Sequence, residues 1–105
     1  MVRLTEWIEE LADGEAVEAV VIGKPSWGND APPRLEHLHN VVLAWEQARP
    51  LLDYEFNDGF GAPQCNAIAV WTRSWVIAVS TYDGSTSPFR LPRHPVDHVP
   101  EMPGG

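Results

Sequence analysis

Residues 66–91 read Asn66-Ala67-Ile68-Ala69-Val70-Trp71-Thr72-Arg73-Ser74-Trp75-Val76-Ile77-Ala78-Val79-Ser80-Thr81-Tyr82-Asp83-Gly84-Ser85-Thr86-Ser87-Pro88-Phe89-Arg90-Leu91. Two runs rich in β-branched and aromatic residues, 66–72 and 75–82, are separated only by Arg73-Ser74, which predicts a tight hairpin. Asp83-Gly84 is the strongest hairpin signal in the chain, because a two-residue type I′ turn needs positive φ at both positions and Asp-Gly tolerates it. Residues 85–91 then return as a third strand. The stretch therefore predicts a three-stranded antiparallel meander.

Two-residue turns also fix which residues oppose each other. Thr72 should face Trp75, Val70 should face Ile77, and Ile68 should face Val79; opposed residues share a face. This aliphatic face is the expected floor for the helices. The other face carries Trp71, Val76, Ala78 and Tyr82, joined by Phe89 and Leu91, with Ser80 and Ser87 as polar exceptions. An antiparallel sheet with one solvated face normally makes that face polar. A second apolar face predicts cover by a partner protein, by a second copy in a homodimer, or by the proline-rich tail.

Working outward, Leu4, Trp7, Ile8 and Leu11 recur at helical spacing, with Thr5 as the expected N-cap and Asp13-Gly14 as the stop. The opposite side of that helix carries Glu6, Glu9, Glu10 and Asp13, a candidate acidic face. Residues 16–22 read as a short strand. Residues 23–33 form a loop by composition, with Trp27 as a further candidate interface aromatic. Leu35, Leu38, Val42 and Trp45 predict a second helix from Pro33, although Val41-Val42-Leu43 also suits a strand. Pro50 should kink or end that helix, and a short helix carrying Leu51, Leu52 and Phe56 could follow. The expected architecture is α+β: helix, strand, one or two helices, meander, in a single domain over residues 1–93. Residues 94–105 form an extended Pro/Gly-rich tail.

The net charge is −8, and all of that excess lies in residues 1–58, whereas residues 59–105 are neutral. Direct contact with nucleic acid is disfavoured by this field, and a basic partner protein is favoured. No run approaches the ~20 apolar residues of a membrane span. An N-terminus that turns acidic at once, and a single cysteine, point to a reducing cytoplasm.

Catalytic signals are sparse, which favours a non-enzyme. Cys65 has no signature around it, but a loop-built site joining Cys65 to a histidine and to Asp53 or Glu55 is an alternative. Asp53, Glu55, Asn57, Gly59 and Gln64 only faintly follow a calcium loop, with the glycine one residue late and a neutral closing residue. His37, His39, His94 and His98 lack the spacing of a converging metal set. No cofactor or metal is expected. The final Gly104-Gly105 is similar to the end of ubiquitin-like sulfur carriers, but the element order is not that of the β-grasp. Six arginines against one lysine suit a GC-rich genome. The reading that absorbs most of these features is a small acidic binding or inhibitory module, such as a phage or mobile-element accessory protein that blocks a host factor. The alternative within the same chemistry is a nucleic-acid mimic aimed at a DNA- or RNA-binding enzyme.

Overall fold

The computed structural model describes residues 1–24, 36–59 and 64–103. Trp27 and Gly104-Gly105 lie outside them. The elements run β1 (Val2–Arg3), α1 (Leu4–Ala12), β2 (Ala19–Ile22), a 3₁₀ turn (Glu36–Leu38), β3 (Val42–Leu43), α2 (Trp45–Leu52), β4 (Glu55–Phe56), β5 (Ile68–Trp71), β6 (Trp75–Tyr82) and β7 (Ser85–Pro92). This is an α+β fold, with two α-helices among the described residues. The meander is the larger part of a five-stranded antiparallel sheet of order β3-β2-β5-β6-β7, and β1 and β4 form a small separate ribbon.

Both turns set the expected register. Val70 faces Ile77 and Trp71 faces Val76, while Ala78 faces Phe89 and Tyr82 faces Ser85. Asp83 and Gly84 both have positive φ, 51° and 83°, as a type I′ turn requires. One face of the sheet is buried at Val20, Ile22, Ile68, Val70 and Ile77, against Leu4, Ile8 and Ala12 of α1 and Ala48 and Leu52 of α2. Trp7 meets Phe56 edge-to-face, with centroids 5.4 Å apart, and closes the core beside the β1–β4 ribbon.

Three expectations need correction. Thr5 does not cap α1. The helix begins one residue before it, with Arg3 at the cap position, and Thr5 is buried, donating from Oγ1 to Asp53 Oδ1 at 3.1 Å. Over the described residues 36–44, the helix expected from Pro33 through Trp45 does not form, and the strand that Val41-Val42-Leu43 also suited is present at Val42–Leu43. Asn40 takes φ 65°, which no helix interior allows, and its N–H donates to the Ile22 carbonyl at 2.8 Å. That contact turns residues 42–43 into an edge strand on β2, with Val20 opposite Leu43. The helix starts instead at Trp45, and the Gln47 Oε1 accepts the Ala44 N–H at its entrance. Pro50 lies inside α2 and begins no helix of its own. It removes the bond to the Glu46 carbonyl, and the helix stops two residues later. Phe56 belongs to β4 rather than to a helix.

The free edge of β7 is closed by its own sequence. The bond from the Arg93 N–H to the Ser74 carbonyl shows which β7 residues share ladder bonds with β6; those at 86, 88, 90 and 92 point their amides outward. The Thr86 N–H donates to the Asp58 carbonyl at 2.9 Å, and Pro88 and Pro92 have no N–H. Both prolines thus stand where they cost no ladder bond and deny an incoming strand its donors. Pro88→Thr is expected to fold normally but to associate more readily through this edge, seen by light scattering. Phe89→Pro, one residue on, removes a ladder bond to β6 and should cost about 1–3 kcal/mol in denaturant unfolding.

Candidate functional site

Two surfaces carry the features that the sequence singles out, the α1 side and the outer face of the sheet, and Phe89 borders both. The first is the α1 side. An amphipathic helix that buries Leu4, Ile8 and Ala12 must turn Glu6, Glu9 and Glu10 outward, and all three are exposed, as is Asp13 at the helix end. Glu9 receives Arg49 at 3.0 Å from α2. A groove of about 360 Å³ runs along one flank of α1 and places Glu10, Asp13 and Glu101 beside Pro88 and Arg90. The other flank holds a groove of about 560 Å³ in which Glu9, Glu15 and Glu46 stand with Trp45 and Arg49. Glu101 reaches the first groove from the C-terminal segment, so the tail contributes to the acidic side.

The arginines near these grooves are already engaged. Arg90 donates to the Leu11 carbonyl at 2.7 Å and lies 3.7 Å over the Trp75 ring, tying β7 to the end of α1. Arg3 lies between Asp53 and Glu55, and Arg93 pairs with Glu18 and donates to the Thr72 carbonyl.

Glu15 plays a different part from the other acids. Its carboxylate accepts from Thr72 Oγ1 at 2.7 Å, from the Ser74 N–H at 2.9 Å and from Ser74 Oγ at 2.6 Å. These bonds hold it below the usual carboxylate range, the Ser74 hydroxyl contributing most. Glu15 therefore clamps the Arg73-Ser74 turn, and sequence reading missed it because its partners lie nearly sixty residues away.

The second surface is the outer face of the sheet. Trp71, Val76, Ala78 and Phe89 are half-buried there, whereas Leu91 and Tyr82 are exposed. The structure brings these six candidate residues onto one face, as the register requires. The apolar residues that pack against the core are a different set, including Trp75 and Val79. Val42, 72% exposed, extends the outer face at β3; sequence reading missed it because it left that residue between helix and strand.

The residues named for a loop-built site have other partners. Cys65 is buried in the core cluster, and desolvation pushes its thiol up to about 11. Asp53 and Glu55 are turned onto Arg3, and the Asn57 side chain accepts the Gly59 N–H in a local turn rather than facing a shared ion site. Among the described residues, no group of three or more His, Cys, Asp or Glu could hold a metal ion. Among them, too, no helix is long and apolar enough to cross a membrane. No protein-family model matches the chain, and no curated protein or solved structure is significantly similar to it.

Two outcomes follow from this geometry. Glu15→Gln should lower the melting temperature at pH 7. Because the folded carboxyl titrates below its unfolded value, the stability it supplies is present above the carboxylate range and lost as pH falls through it, so the gap between variant and parent should close in acid. Cys65 should react with a thiol reagent at neutral pH far more slowly in the folded protein than in denaturant.

Proposed function

We propose that this chain is an acidic protein-binding module that acts by occupying a basic partner, and that it presents the α1 side to that partner. The observation that carries this reading is the placement of Glu6, Glu9, Glu10 and Asp13 on one outward ridge, flanked on both sides by grooves that add Glu15, Glu46 and Glu101. A cationic surface meets there more carboxylates than the two arginines, Arg49 and Arg90, with Trp45 and Pro88 supplying apolar contact. Long-range attraction of this kind speeds encounter and selects partner sign more than it supplies affinity. A module of this chemistry suits an accessory protein that blocks a host factor in a reducing cytoplasm, where the lone Cys65 stays a thiol.

The test replaces Glu6, Glu9 and Glu10 by Gln and Asp13 by Asn together. The variant should stay folded, since exposed charges contribute little individually. In capture from lysate of the source organism, the partner should be basic, its binding should weaken as salt rises from 50 to about 300 mM, and the variant should lose it. Retention of the partner by the variant at every salt concentration would overturn the proposal. Competition by short duplex DNA for the captured protein would identify its nucleic-acid site as the target and shift the reading to mimicry.

A further inference from the structure

We infer that the outer face of the sheet is a dimerisation surface whose occupant is a second copy of this chain, packed face to face about a two-fold axis. The register lays two apolar rows across four strands. One row runs Val21, Ala69, Ala78, Phe89; the next runs Ala19, Trp71, Val76, Leu91. Neither row contains a charged residue, in a protein of net charge −8.

The relief of these rows is self-complementary. Ala69 and Ala78 make a dip in the middle of the first row, and Trp71 and Val76 make a ridge beside it in the second. A two-fold axis lying in the interface, midway between the rows and parallel to them, brings each row of one copy over the other row of its partner. Ala69 then meets the partner's Trp71, and Ala78 meets the partner's Val76, and the same contacts repeat by symmetry. A contact in which residue i meets j while j meets i is what a closed two-fold interface demands. Strands of the two sheets come out near-aligned, the common geometry of packed sheets.

Charge selects the same arrangement. Association through the α1 side sets two acidic ridges against each other. Association through β7 meets Pro88 and Pro92. Face-to-face packing places both sheets between the acidic ridges, a separation of roughly 30 Å at ~10 Å per layer, several times the ~8 Å screening length at physiological salt. The face spans roughly 24 Å across the strands and, at ~3.3 Å per residue, about 13 Å along β2 and β5 and about 26 Å along β6 and β7. With side-chain relief, two copies bury on the order of 1,200 Å², the lower end for specific interfaces. Such a dimer leaves both acidic sides outward.

Sedimentation of the full chain from ~1 to ~500 μM spans the affinity expected of so small an interface. A concentration-dependent dimer is expected, weakened more than about tenfold by Ala78→Glu, which buries a carboxylate at the centre, with circular dichroism unchanged. The decisive variants exchange dip and ridge. Ala69→Trp alone should abolish the dimer by collision with the partner's Trp71, and Ala69→Trp with Trp71→Ala should restore it. A wild-type monomer throughout the range, or a dimer that survives Ala78→Glu, would overturn the inference, and so would failure of the exchange to restore association in a folded double variant. None of these outcomes touches the acidic side, so the binding proposal stands or falls separately.

Discussion

Everything in this fold hangs on the register of β5, β6 and β7, and that register is held at two turns by different means. At Asp83-Gly84 the backbone does the work: both residues sit at positive φ, and the strands leave the turn with no freedom to slip. At Arg73-Ser74 no residue has positive φ, and the turn is held from outside. Glu15 accepts three hydrogen bonds from Thr72 and Ser74, and the Trp75 N–H donates to Thr72 Oγ1. A one-residue slip at Arg73-Ser74 would exchange the two faces of one strand and carry Val70 or Ile77 out of the core, and a slip at Asp83-Gly84 would move Phe89 and Leu91 to the inner face. The acid that guards the second turn comes from the loop after α1, so helix docking and hairpin register support one another.

The two faces of the sheet then take opposite roles. The inner face is filled by α1 and α2, and its aromatic edge is finished by Trp75 under Arg90. Among the described residues, no helix packs on the outer face. Its apolar rows are continuous because β2 and β5 follow near-unbroken hydrophobic runs, a pattern usual for strands covered on both sides. The proline-blocked edge of β7 shows the same economy: the sheet is extended neither at that edge nor by a longer strand at β3, which has only two residues.

Charge follows the layers. The acids on α1 are outward as a geometric consequence of the Leu4–Ile8–Ala12 stripe facing in. The meander contributes arginines that are spent locally, Arg90 on Leu11 and Arg93 on Glu18 and Thr72. The α1 side keeps more acids than the two arginines, Arg49 and Arg90, that line its grooves, and the two apolar rows of the outer face carry no charge. These two chemistries are separated by the thickness of the core, so the two proposed contacts would not compete.

The sequence by itself determined the local features. Period-2 patterning and two short turns set the meander, its register and the identity of both faces. A helical stripe ended by Asp13-Gly14 set α1 and the outward direction of its acids. These are decided within a few residues, by steric limits on φ and by which side chains can share a face. Only the tertiary structure decided the middle of the chain. Leu38, Val42 and Trp45 carry a helical spacing, yet Asn40 hydrogen-bonds to Ile22 and residues 42–43 are captured by β2, because an exposed strand edge offers main-chain partners that periodicity does not register. Thr5 likewise has the chemistry of a cap but is claimed by Asp53, forty-eight residues on. Glu15, one acid among twelve in the first half of the chain, is distinguished from the others solely by the turn that folding brings to it.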